Sequence, residues 1–324
     1  MKSQFRFLLA VVLDLAAAMA GASEARAQAK WPTRPVKFIV TLGAGSGADI
    51  GARLLADRLS RRWGEPVIVE NRPGGDGLVA INAFVTAHDD HVLLYAPSGS
   101  FTAHPYSHDT LPYKPSDLVP IARVSNTIIV VAVPTALHID TVAQLVAHAR
   151  AAPGTLNWAG VTGLNDLLFA GFLAQEHLDM TKVPYRNPVD AAKDLGENRV
   201  QVYLPALTII RPEVDSGTAK MLAVTNTTRA PAAPDLPTVA EAGYPDLTLD
   251  GLVGLFGPTS MPLPLRQHIA ADIRAVTDAT VQDRLIKTGQ TVNLGGPEEF
   301  AKSIDAQRAT AAAIAKRLGI RAAQ

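Results

Sequence analysis

Three short stretches carry residue types that can hold an anion with backbone groups alone: Gly43-Ala44-Gly45-Ser46-Gly47-Ala48-Asp49, Pro97-Ser98-Gly99-Ser100 and Thr162-Gly163-Leu164-Asn165-Asp166. Small residues leave main-chain N–H groups accessible, and short hydroxyl or amide side chains add donors. The candidate ligand-binding residues are therefore Gly43, Ala44, Gly45, Ser46, Gly47, Asp49, Ser98, Gly99, Ser100, Thr162, Gly163, Asn165 and Asp166. Hydrogen bonds to a carboxylate are worth roughly 1.5–3 kcal/mol each, so a few of them plus burial of a carbon skeleton could reach a micromolar complex. The plainer reading of each stretch is a tight turn, and an Asp at the position of Asp49 caps a helix with or without a ligand.

These loops are useful only if the surrounding elements aim them at one place. Val36 to Leu42 reads as a buried strand, and Ile50, Leu54, Leu55 and Leu59 mark an amphipathic helix, so the first loop joins a strand end to a helix start, where N–H groups and the helix dipole attract anions. Strand, glycine loop and helix recur at Val67–Glu70, Asn71–Gly77 and Ala80–Val85, and Val92–Ala96 is a third strand ending at the Pro97–Ser100 turn. Tyr106–Pro120 reads as irregular surface. Ile121–Pro134 suits one long strand passing from a first sheet into a second, where helix 141–151, strand 156–161 and helix 167–176 begin a new set of units. The glycine-interleaved strand Gly251–Gly257 returns the chain to the first sheet, and the segments after Leu263 read as helical. The expected organisation is α/β: lobe 1 from residues 28–125 plus 249–324, lobe 2 from 126–248, each a doubly wound sheet, with two crossing strands as the hinge. The first and third loops would then face one another across a cleft.

Other chemistries fit less well. Gly43, Gly45 and Ala48 match the dinucleotide pattern G-x-G-x-x-G/A, with Glu70 as the ribose acid, which keeps an NAD-dependent oxidoreductase as the alternative. No serine lies in G-x-S-x-G, so no catalytic nucleophile is assigned. His88-Asp89-Asp90-His91 has metal-ligand residue types but lies before the third strand, away from the binding edge, and reads as a solvated turn. No metal or cofactor is expected.

The chain has 324 residues, 30 basic and 30 acidic, and no cysteine, which excludes disulfides and thiolate metal sites and gives no basic excess for nucleic acid. Arg58, Arg61 and Arg62 read as a solvated helix face. Lys2 and Arg6 precede the apolar run Leu8–Ala20, and Ala25-Arg26-Ala27 supplies a small-x-small cleavage site, so residues 1–27 read as a secretory signal with the mature chain starting near Gln28. No later stretch resembles a membrane span.

From about Trp31 onward the chain resembles the extracytoplasmic solute receptors of tripartite tricarboxylate transporters, the Bug family. The matching residues are Trp31-Pro32-Thr33-Arg34-Pro35-Val36, Val69-Glu70-Asn71-Arg72-Pro73-Gly74, Val183-Pro184-Tyr185, Leu222-Ala223-Val224-Thr225 and Pro237-Thr238-Val239-Ala240-Glu241-Ala242-Gly243. The resemblance implies a two-lobed periplasmic binding protein of type II architecture, not an enzyme, and a monomer. It would capture a small mono- or dicarboxylate and deliver it to membrane permease subunits. A sensory receptor for a histidine kinase is a further reading of the same fold. In that family the first strand-to-helix loop and its second-lobe counterpart hold the ligand carboxylate, which maps here to Gly43–Asp49 and Thr162–Asp166. This sequence departs from the pattern in three places: the first loop lacks the usual prolines and double glycine, Leu168 stands for a common histidine, and Pro205 stands for an acid. Loss of that acid disfavours an amino-acid ligand, although Asp166 could substitute.

Overall fold

The computed structural model describes residues 31–323, so the expected secretory signal lies outside the described residues. Two sheets divide the chain. The first has the order β11-β4-β10-β3-β1-β2, with β1 (Val36–Val40), β2 (Val67–Asn71), β3 (Val92–Pro97), β4 (Val119–Thr127), β10 (Gly251–Gly257) and β11 (Gln290–Gly295). The second has the order β7-β6-β8-β5-β9, with β5 (Val130–Pro134), β6 (Asn157–Val161), β7 (Thr181–Tyr185), β8 (Val202–Tyr203) and β9 (Ala219–Val224).

Strands β1, β2 and β3 run parallel, as the repeated strand–loop–helix units require. The returning β10 inserts antiparallel between β3 and β4, which makes the sheet mixed. Both faces of each sheet are covered. Phe38 and Val40 pack with Leu55 and Leu59 of helix α1 (Gly47–Trp63), while Ile39 points the other way, toward Ile81 and Phe84 of α2 (Leu78–Ala87). In the second sheet Val131 and Val133 face one core, and Val130 and Ala132 the other. Strands buried on both faces become near-continuous apolar runs, which is how β1 and β5 read in the sequence.

Three expectations are corrected. The run Ile121–Pro134 is two strands rather than one long strand. The break at Ile128–Ile129 is where the backbone changes partners: the Ile128 N–H donates to Gly289 O and the Ile129 N–H to Asn226 Oδ1, after which Val130 N–H pairs with Pro205 O. Ser98–Ser107 is a helix, α3, with Pro105 inside it, rather than a turn leading into irregular surface. Strand β11 occupies a stretch expected to link two helices; its only large apolar residues are Val292 and Leu294, both half-buried, too short an alternation to stand out.

The remaining helices are α4 (Val142–Ala151), α5 (Leu164–Gln175), α6 (Pro188–Gly196), α7 (Leu207–Asp215), α8 (Leu263–Val276), α9 (Ala279–Lys287) and α10 (Pro297–Arg317). The last straddles both halves. Its Phe300 and Ile304 belong to a core under the first sheet, whereas Ala311 and Ile314 belong to a core of the second. Gly171 permits that crossing, since a β-carbon there would lie 2.5 Å from Ile314 Cγ2.

Candidate functional site

The C-terminal ends of β1, β3 and β6 open onto one cavity of about 640 Å³ between the two sheets. Gly43 to Ala48, Gly99, Ser100 and Thr162 to Asp166 all line it, so the three glycine-bearing stretches are brought together. Each begins a helix. At α1, Ser46 is the N-cap; its Oγ accepts from the Asp49 N–H, and the Ile50 N–H closes the first turn on Ser46 O. The N–H groups of Gly47 and Ala48 precede that turn and have no helical acceptor. At α3 the N-cap is Pro97, and at α5 it is Gly163; neither offers a capping side chain. The N–H groups of Leu164, Asn165 and Asp166 precede the first bond of α5, from Leu167 N–H to Gly163 O. At Gly99 the starts of α3 and α5 lie side by side, since a β-carbon there would make an ordinary contact of 3.5 Å with Leu164 Cβ. Three helix N-termini, each carrying roughly half a positive charge, thus border one volume.

Two candidates lie outside the lining. Asp49 and Ser98 do not line the cavity; both are buried beneath it. Asp49 accepts from the Gly45 N–H at 2.9 Å, from Arg53 at 3.0 Å and from Asn71 Nδ2 at 2.8 Å, which holds the first loop from below. Burial would raise its pKa, but the Gly45 N–H, Arg53 and Asn71 outweigh it and keep the carboxyl below the ordinary value. The Ser98 hydroxyl donates to Gln307 Oε1 at 2.5 Å. Asn165, although in the lining, spends its amide on Leu204 O at 3.1 Å.

Asp166 shows the opposite balance. Burial pushes its carboxyl above the usual range against the opposing pull of Lys182, whose Nζ meets Oδ2 at 2.6 Å, while Oδ1 is enclosed without a partner. The same ammonium lies 5.3 Å from the Trp158 ring centroid. Trp158 both lines the cavity and packs edge-on to Phe169. Ligand binding is therefore expected to change tryptophan emission, and Trp158→Phe should remove most of that change while leaving affinity within about threefold. An undiminished change in that variant would assign the signal to Trp31 or Trp63.

Two glutamines escaped the sequence reading. Gln290, on β11, donates through Nε2 to Gly47 O and accepts at Oε1 from the Ser125 hydroxyl, tying α1 to β4 from inside the site. Gln307 accepts from Ser98 and donates to Asp250 O at 2.7 Å, joining α3 to the strand that returns from the second sheet. Gln307 left a trace: it interrupts the apolar stripe of Phe300, Ile304, Ala311 and Ile314. Gln290 left none, because its strand was not recognised.

The competing chemistries find no support. Glu70 is engaged by Lys37 at 2.8 Å and Arg72 at 2.5 Å, so it is not free to bind a ribose. Asp89, Asp90 and His91 do cluster, but His91 is buried rather than solvated: Nε2 accepts from the Thr33 N–H at 3.1 Å and Nδ1 faces Asp90 Oδ1 at 2.6 Å. Both ring nitrogens are thereby occupied, Nε2 in holding the segment before β1 and Nδ1 by its chain neighbour. Arg58, Arg61 and Arg62 pair with Asp278, Asp57 and Asp272.

Comparison with known proteins places this geometry among relatives. Residues 51–320 match the family described as tripartite tricarboxylate transporter family receptor. A UPF0065 protein of Bordetella bronchiseptica is 30% identical over 304 residues, covering 93% of this chain and 90% of the relative. Protein BugT of Bordetella pertussis is 28% identical, covering 84% of this chain and 86% of its own. Among solved structures, an R. palustris protein with adipate superposes with a TM-score of 0.79 at 27% identity, and the periplasmic binding protein BugD with 0.74 at 25%; each match covers 90% of this chain and 99% of the other.

Proposed function

Because the chain belongs to the tripartite tricarboxylate transporter receptor family, whose members are periplasmic binding proteins and not enzymes, we propose that it captures a carboxylate-bearing solute between its lobes and delivers it to a membrane transporter. The observation that carries this reading is the convergence of the α1, α3 and α5 N-termini on a cavity with no Lys or Arg among its described lining residues. Backbone donors held in place by two lobes suit a carboxylate, which accepts several N–H bonds at once. The R. palustris relative with adipate is consistent with that class of ligand.

Residues 28–125 plus 249–324 act as one lobe and 126–248 as the other. The hinge lies where β4 gives way to β5 and where the segment after β9 leads into β10. Ligand held by Gly43–Gly47, Gly99 and Ser100 on one side and by Thr162–Asp166 on the other favours the closed arrangement by its differential contacts. The protein works as a monomer, exported by residues 1–27, with permease subunits as its partners. Among the described residues no helix is long and apolar enough to cross a membrane.

The test is export followed by ligand screening. Protein recovered from the periplasm of a Gram-negative host should begin near Gln28. Mono-, di- and tricarboxylates should then be screened for a rise in Tm, since a ligand that binds only the folded state at about 100 times its Kd adds about 2.7 kcal/mol. A folded protein whose Tm no carboxylate moves would refute the proposal.

A further inference from the structure

We infer that the solute is a monocarboxylate with an uncharged, largely apolar body, rather than a dicarboxylate, a tricarboxylate or an amino acid; this rests on the carboxylate reading of the same cavity. Among the described residues the cavity has one anion pole and no second one. Away from α1, α3 and α5 the walls include Ile129, Trp158, Val189, Leu204, Ile209 and Leu249. Two more helices begin there, but their donors are largely consumed. Pro188 opens α6 without an N–H, and the Val189 N–H already donates to Asn187 Oδ1 at 3.0 Å. At α7 the Leu207 N–H donates to Ile128 O and the Ile209 N–H to Ala206 O.

The polar side chains on these walls are uncharged or committed: Thr127, Asn187 and Thr208 are neutral, and the amides and acids are tied to neighbours. Gln290 and Gln307 are bound at both ends of their amides. Asp250 accepts from the Thr227 N–H at 3.2 Å and from its hydroxyl at 2.9 Å, and the Thr288 hydroxyl donates to Leu285 O at 2.8 Å. A second carboxylate would therefore meet hydrocarbon, the neutral side chains of Thr127, Asn187 and Thr208, and the acids Asp166 and Asp250 instead of a cation or a cluster of helix N-termini, and a charge so weakly compensated is strongly disfavoured. An ammonium fares no better, because Oδ1 of Asp166 is enclosed and Oδ2 is held by Lys182. An alkyl or aromatic body instead gains from every apolar wall, and the volume of about 640 Å³ accommodates one.

Matched pairs isolate the effect of the second pole. Isothermal titration of the exported protein should compare butyrate with succinate, hexanoate with adipate, and phenylacetate with para-phenylenediacetate; phenylpropionate against phenylalanine tests the ammonium. The monocarboxylate of each pair should bind at least about tenfold more tightly. Equal or tighter binding of any dicarboxylate, or of phenylalanine, overturns this inference and leaves the carboxylate reading standing. Binding of no carboxylate by folded protein overturns the carboxylate reading itself and this inference with it.

Discussion

Asp49→Ala is expected to destabilise the protein by about 2–3 kcal/mol, as read by urea denaturation, and to weaken carboxylate binding by about tenfold. The carboxylate is buried and serves as the shared acceptor for Gly45, Arg53 and Asn71. Its removal leaves the Gly45 N–H without its acceptor and frees a loop whose Gly45 has a φ of 83°. Arg53 is half-exposed and can return to water, so the loss stays below that of stranding a fully buried charge. The affinity loss follows from the ordering the loop must then undergo on binding. The pH dependence supplies a second readout. Because the folded-state pKa of Asp49 lies below the ordinary value, its stabilisation is fully present above the unfolded carboxylate pKa of about 4 and is lost as pH falls through the folded value. The acid limb of the stability profile should therefore be shallower in the variant. A destabilisation below about 1 kcal/mol with unchanged affinity would show that the loop holds its shape without this anchor.

The sequence revealed elements whose local and long-range demands agree. The strand–loop–helix at Val36–Trp63 has a buried run, glycines and an amphipathic helix all pointing to the same answer, and its recurrence implied a parallel wing. The passage from the first sheet to the second was legible from Ile128–Val133, though the break within it was not. That break is set by Gly289, Asn226 and Pro205, all far away in the chain. Strand β11 was hidden because it lies at the edge of the sheet with only Val292 and Leu294 as large apolar residues, both half-buried, so its strand character comes mainly from pairing with β4.

The site divides in the same way. Glycine content located the three loops, since glycine marks places where the backbone itself must be presented. Residue type did not reveal orientation. Asp49 and Ser98 have ligand-like side chains, yet both turn inward, because a polar group buried beside a loop of unpaired N–H groups is bound first by its own neighbours. Gln290 and Gln307 lie 243 and 209 residues from the Gly47 and Ser98 that they hold, a separation no local pattern encodes.

Gly163→Val tests the pole itself. Gly163 is the N-cap of α5 at φ 149°, ψ −176°, a conformation open in practice only to glycine, and a β-carbon there would meet no atom within 4 Å. The substitution therefore acts through the backbone rather than by collision. Valine is strained there by about 1–3 kcal/mol, and the peptide rotates to relieve it, turning the first N–H groups of α5 away from the cavity. Rotation removes one or two charge-assisted hydrogen bonds, so affinity for a carboxylate should fall at least about thirtyfold. Gly217→Val is the matched control. It imposes a positive-φ strain on valine at φ 76°, also with no atom within 4 Å, at a turn that does not line the cavity. Both variants should lose comparable Tm, but only Gly163→Val should lose the ligand. Wild-type affinity in Gly163→Val would remove α5 from the carboxylate pole and leave α1 and α3, both packed on the first sheet, without an opposing jaw.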